Sequence, residues 1–196
     1  MGLPKTNRTS LIAIGASAGG IEAVSTLLRA LPAAFDIPVV VVVHLPPNRP
    51  SLLPELFARH CALPVREAQD KEPLQAGTVY VAAPDYHLMI EPGGMLSLSC
   101  DAPVLFSRPS LDMLFESAAL AYQESLLAIV LTGASADGAE GLATVRRLGG
   151  TGWVQEPEEA QASIMPLAAI KKAGADQVLR LHDMAGLLPG LMGREE

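Results

Sequence analysis

Five consecutive valines, Val39–Val43, constrain this chain more than any other stretch. A strand with one wet face alternates apolar and polar residues, whereas an unbroken β-branched run is buried on both faces. Such a strand needs a sheet covered by helices on either side. The rest of the sequence supplies the parts. Apolar, strand-like runs recur at Leu11–Ile14, Val65–Ala68, Thr78–Ala82, Leu126–Thr132 and Trp153–Gln155. Helical patterns fall between several of them, at Ile21–Leu31, Leu52–Arg59, Leu111–Gln123, Ala139–Leu148 and Pro166–Ala173. This alternation predicts an α/β fold: a doubly wound, mostly parallel sheet with helices on both faces. One segment departs from it. His87–Ile90 and Met95–Ser99 flank Glu91-Pro-Gly-Gly94 and read as a small antiparallel hairpin near one edge. Cys100–Pro109 has no period and reads as a loop. The 196 residues carry no repeat or linker and read as a single domain (1–196) with its core at about 11–181.

Ligands of open parallel sheets bind beyond the carboxyl ends of the strands, so the polar residues that follow each strand matter most. After Leu11–Ile14 comes Gly15-Ala-Ser-Ala-Gly19 and then a helix, the pattern of a nucleophile elbow that exposes Ser17. The valine run ends at His44, followed by Leu-Pro-Pro47. Leu126–Thr132 runs into Gly133-Ala-Ser-Ala-Asp137-Gly-Ala139. A hydroxyl, an imidazole and a carboxylate at three strand ends are the set that acyl transfer needs: a weak nucleophile, a base and an acid that fixes the base's tautomer. The chain order Ser, His, Asp differs from the Ser, Asp, His of α/β-hydrolases. Backbone N–H groups of Ala18 and Gly19, at the helix start, are candidate oxyanion donors.

Each residue also has a plainer reading. Ser17 suits a helix cap, and His44 a satisfied core histidine. Asp137-Gly-Ala-Glu140 matches a capping box. The glycine turn is compatible with an NAD(P)-binding oxidoreductase, but the acidic residue wanted near the end of the second strand is replaced by His44. His60 and His182 read as surface residues. His87 could line a pocket, with no evident partner. No His, Cys, Asp or Glu pair has convincing metal spacing.

Composition narrows the partners. A formal net charge of −7 with scattered Lys and Arg argues against nucleic acid or an acidic membrane surface. The longest apolar run, Ile37–His44, has strand length, and Met1–Ser10 lacks a signal-peptide core, so no direct membrane insertion is expected. Cys61 and Cys100 imply no disulfide framework. A cytoplasmic protein is the simplest expectation.

An ordered set of segments resembles the catalytic domain of the CheB family of chemotaxis protein-glutamate methylesterases. They are Ile14-Gly-Ala-Ser-Ala-Gly-Gly20, Val43-His-Leu-Pro46, Gly77-Thr-Val-Tyr-Val-Ala-Ala-Pro84 and Asp85-Tyr-His-Leu88. They continue with Ser107-Arg-Pro-Ser-Leu-Asp112, Leu131-Thr-Gly-Ala-Ser-Ala-Asp-Gly-Ala139, Gly149-Gly150 and Met165-Pro166. The resemblance implies hydrolysis of γ-glutamyl methyl esters on chemoreceptor helices, giving glutamate and methanol, with deamidation of receptor glutamines by the same acyl-enzyme chemistry. It places the family's catalytic serine, histidine and aspartate on Ser17, His44 and Asp137. The methylated receptor helices would be the protein partner, and the resemblance implies neither a cofactor nor a metal. Three positions depart from the family's commonest pattern: Ala18 where Thr is usual, Gly133-Ala-Ser135 for Gly-Met-Gly, and Val43 for Gln. Only Met1–Ser10 precede the first strand, so no receiver domain is expected in the chain. The competing expectation is a non-catalytic chemosensory docking module. Against it stands the argument that such a module has no physical need for all three residues.

Overall fold

The computed structural model describes residues 8–44 and 51–192. Among them the strands are β1 Leu11–Ala16, β2 Val39–Val43, β3 Val65–Glu67, β4 Val79–Val81, β5 His87–Glu91, β6 Met95–Ser99, β7 Leu126–Val130, β8 Thr151–Gln155 and β9 Gln177–Leu179. The α-helices are α1 Gly20–Arg29, α2 Leu53–Ala58, α3 Leu111–Tyr122, α4 Ala139–Arg147, α5 Ile164–Ala173 and α6 Leu181–Leu187.

Seven strands form one sheet in the order β3-β4-β2-β1-β7-β8-β9, and every neighbouring pair in it is parallel. The two periodicities of the sequence explain its two cores. Along β1 and β2, Ile12, Ile14, Val39, Val41 and Val43 face one side, where they pack with Leu27 of α1, Phe57 of α2 and Met184 of α6. Leu11, Ala13, Val40 and Val42 face the other, against Leu114 of α3, Leu142 of α4 and Met165 of α5. All five valines of β2 are buried, as the unbroken run requires.

The β5–β6 hairpin is a separate two-stranded sheet. It packs on α3, where the Ile90 backbone N–H donates to Ser117 Oγ at 3.1 Å. Two elements escape the sequence reading. Strand β9 is three largely exposed residues at the sheet edge, and α6 is short with Met184 as its buried anchor.

The winding reverses at β1. From there the chain builds outward through β2, β4 and β3, then returns by way of α3 to place β7 on the other flank of β1. Helices α1 and α3 therefore leave on opposite faces and open a crevice at the carboxyl ends of β1 and its neighbours. Ser17, His44 and the segment after β7 all emerge there.

Candidate active site

The elbow forms because its backbone can do what its neighbours demand. Gly19 has φ +77° and caps the start of α1, and a Cβ there would lie 2.5 Å from Oε1 of Gln161. A left-handed residue under another side chain is a glycine position twice over. Gly15 serves differently. A Cβ on it would meet Leu111 Cδ2 at 2.2 Å, so its absence lets the first turn of α3 settle on β1. Thr132, just beyond β7, braces the turn: its carbonyl accepts from Ser17 N (2.9 Å), and its hydroxyl donates to the Ala18 carbonyl (2.8 Å). Ala18 N and Gly19 N make no hydrogen bond among the described residues.

Sheet register brings the histidine to the serine. Ala16 pairs with Val43, and His44 N donates to the Ala16 carbonyl at 3.1 Å. One step further along the same register, Ser17 and His44 follow directly on the ends of β1 and β2, adjacent strands of a kind that run about 4.8 Å apart. The imidazole is committed at one end. His44 Nε2 lies 2.8 Å from Asp137 Oδ2, and because an ionised carboxylate only accepts, Nε2 carries the proton. That leaves Nδ1 as the basic nitrogen, and the Ser107 hydroxyl donates to it at 3.3 Å. Ser17 Oγ makes no hydrogen bond among the described residues. His44 is 12% exposed and Asp137 0%.

Asp137 survives burial as an anion because four donors converge on it. Oδ1 accepts from Ser110 Oγ (2.8 Å) and Asp112 N (3.1 Å), and Oδ2 from Leu111 N (2.7 Å) and His44 Nε2. Three of these come from the start of α3, where the helix dipole also favours negative charge. Burial pushes the carboxyl up, but the hydrogen bonds from His44, Leu111, Asp112 and Ser110 outweigh it and hold Asp137 below the usual carboxylate range. The capping-box reading is therefore corrected. Asp137 does cap a helix, but that helix is α3, and the cap of α4 is Gly138 without a side-chain bond. Glu140 is exposed and pairs with Lys172.

The favour is returned. Asp112, in the first turn of α3, accepts from Gly138 N (2.9 Å) and Gly141 N (2.7 Å) at the start of α4. The two helices thus exchange carboxylate caps. Asp112 has the worse environment: burial and the neighbouring Asp137 charge raise its carboxyl to about 6, against the pull of the two N–H groups.

His87, without an evident partner in the sequence, is fully buried and has two. Ser110 N donates to its Nδ1 at 3.1 Å, so Nε2 bears the proton and donates to the Ala102 carbonyl at 3.1 Å. It ties Ser110, and through it the cradle of Asp137, to the loop 100–109. That loop contains a tight corner. Val104 and Ser107 exchange backbone hydrogen bonds of 3.0 and 2.8 Å around Leu105 (φ +46°) and Phe106 (φ +64°). Two positive φ values make it the two-residue hairpin turn that normally takes Asn-Gly. Bulky residues in that region cost about 1–3 kcal/mol each, and here both are exposed, Phe106 fully.

Of the residues expected to form the site, His44 and Asp137 are hydrogen-bonded and Ser17 is adjacent by register. Pro46 and Pro47 lie outside the described residues. Ser107, Ser110, His87 and Asp112 were not singled out for roles by sequence reasoning. Their partners lie 15 to 63 residues away, and the one local hint was the polar run Ser107–Asp112 before a helix. Among the described residues, no three His, Cys, Asp or Glu side chains gather where they could hold a metal ion. No helix there is long and apolar enough to cross a membrane.

Fold and site together define a class: doubly wound α/β proteins that gather a hydroxyl, an imidazole and an ionised carboxylate above one sheet edge. A family model described as CheB methylesterase matches residues 12–188. The chain belongs to the CheB methylesterase family. It is 43% identical over 176 residues to a candidate protein-glutamate methylesterase/protein-glutamine glutaminase of Leptospira interrogans, covering 90% of this chain and 91% of the other. A protein-glutamate methylesterase/protein-glutamine glutaminase of Saccharophagus degradans is also 43% identical, with 89% of this chain covering 48% of it. The crystal structure of the Thermotoga maritima CheB methylesterase catalytic domain superposes with a TM-score of 0.88 at 31% identity, covering 94% of this chain and 99% of that one.

Proposed function

We propose that this chain is a serine-type protein-glutamate methylesterase in which Ser17 is the nucleophile, His44 the base and Asp137 the group that orients it. The observation that carries the reading is the 2.8 Å contact between His44 Nε2 and a buried, ionised Asp137, with Ser17 one register step away. Nδ1 of His44 takes the Ser17 proton as Oγ attacks the ester carbonyl. It then returns that proton to the departing methoxide, releasing methanol and leaving a glutamyl-serine ester. A water molecule, activated by the same nitrogen, hydrolyses this ester to glutamate. Asp137 keeps the proton on Nε2 and stabilises the imidazolium. The N–H groups of Ala18 and Gly19 are the donors for the oxyanion. Attack on a side-chain amide by the same route gives deamidation of glutamine.

The substrate class follows from the relatives, whose names combine glutamate methylesterase with glutamine glutaminase. Chemoreceptor helices bearing methylated glutamates in the cytoplasm are the proposed substrate. The catalytic unit is a single domain: all seven strands of the main sheet fall within the expected core of about 11–181, and α6 beyond it adds Met184 to the same packing. The test is Ser17→Ala. Methanol release from a methylated receptor fragment should vanish while the melting temperature stays at the wild-type value. Turnover close to wild type would exclude Ser17 as nucleophile.

A further inference from the structure

We infer that the Leu105–Phe106 corner is a substrate-gripping contact that seats the ester-bearing helix of the protein substrate over His44. The inference rests on the esterase reading above and adds a specificity determinant to it.

Its placement is the first argument. Ser107 closes the corner and donates to Nδ1 of His44, the one ring nitrogen left for chemistry. An ester that reaches Nδ1 comes up to the edge of the imidazole that Ser107 contacts, beside the two residues that precede Ser107 in the chain. The second argument is conformational. Leu105 and Phe106 occupy a pair of left-handed positions that glycine and asparagine fill more easily. Both side chains point away from the two cores and are exposed. Burial within the chain does not offset either the backbone conformation or the wet apolar surface. Rigidity is the third. Arg108 donates to the carbonyls of Cys100 (3.0 Å) and Asp101 (3.1 Å), and the Val104–Ser107 bonds close the turn, so its base is pinned. A preorganised apolar tip loses little freedom on binding.

The chemistry of the occupant fits. The esterified side chain itself enters the site, so the tip meets the side chains one turn away on the same face of the substrate helix, where an aromatic and an aliphatic residue serve as anchors.

The test replaces the corner in the full chain by the dipeptide this turn favours, Leu105→Asn with Phe106→Gly, which preserves the hairpin while deleting both apolar side chains. Three quantities are read: methanol release from a helical peptide carrying one glutamate γ-methyl ester, hydrolysis of p-nitrophenyl acetate, and the melting temperature. Peptide kcat/KM should fall about 10- to 100-fold, through KM. The small ester should turn over within about twofold of wild type, and the melting temperature should hold or rise. Peptide turnover at the wild-type level overturns the inference. An equal loss on both substrates also overturns it, by assigning the corner to the scaffold of the site. A wild-type chain inert toward both substrates overturns the esterase reading, and the corner's role with it.

Discussion

Replacing Asp137 by asparagine tests the centre of the argument, because no orientation of the amide satisfies the site. The carboxylate accepts four hydrogen atoms, two on each oxygen. If the new NH2 takes the Oδ1 position, the Ser110 hydroxyl can rotate to accept, but Asp112 N–H is left facing a donor. If it takes the Oδ2 position, Leu111 N–H is left facing a donor instead. His44 then has to accept at Nε2, which moves its proton to Nδ1 and removes the base. One stranded buried N–H costs about 1–3 kcal/mol, and the remaining bonds lose their charge assistance. Together these give roughly 2–4 kcal/mol, or a fall in melting temperature on the order of 10 °C for a domain of this size. Turnover should drop on the order of 10⁴-fold, the effect of a mis-set tautomer in serine proteases. Thermal unfolding followed by circular dichroism, with the rate at which a fluorophosphonate labels Ser17, measures both. An unchanged melting temperature with labelling within about tenfold of wild type would refute the claim that one carboxylate both caps α3 and orients the base.

Two further outcomes follow from the same geometry. Asp112 is raised to about 6 in the native state and ionises near 3.9 when unfolded, so the native state holds its proton more tightly. The associated stability is present below about pH 4 and lost as pH rises through about 6. Its size is up to about 3 kcal/mol, reduced to about 1–2 by partial access of solvent. Asp137 runs the opposite way: its stabilisation is present above about pH 4 and lost as pH falls through its depressed native value. Asp112→Asn keeps an oxygen for Gly138 N and Gly141 N. Urea unfolding should therefore show the variant gaining about 1–2 kcal/mol on wild type between pH 4.5 and 7.5, and a difference independent of pH would contradict the assignment. Gly15→Ala drives a methyl group to 2.2 Å from Leu111 Cδ2. It should cost about 1–3 kcal/mol and lower turnover by displacing the start of α3. A wild-type melting curve would show that the contact relaxes freely.

Much of the scaffold was legible because its signals are local. The valine run announced a doubly buried strand, the glycine turn after Leu11–Ile14 an elbow, and strand ends pointed to Ser17, His44 and Asp137. Strand β9 and helix α6 were not, since three exposed edge residues and a two-turn helix carry too short a pattern. The site's support was hidden for a different reason. Asp137-Gly-Ala-Glu140 has capping-box spacing, yet the fold brings a different helix start to that carboxylate, from 25 to 27 residues back in the chain. His87 and Ser110 meet across 23 residues, and Ser107 reaches His44 across 63. Such pairs belong to topology, and no window of sequence contains them.

The exchange of caps between α3 and α4 bears on how relatives of this chain lose their chemistry. Sequence alone suggested that a lineage serving only as a docking module would have no reason to keep the aspartate. The fold supplies one, because Asp137 anchors a helix start whether or not an ester is ever cleaved. The Ser17 hydroxyl holds nothing together among the described residues. A descendant that no longer cleaves esters is therefore expected to surrender its serine before its aspartate.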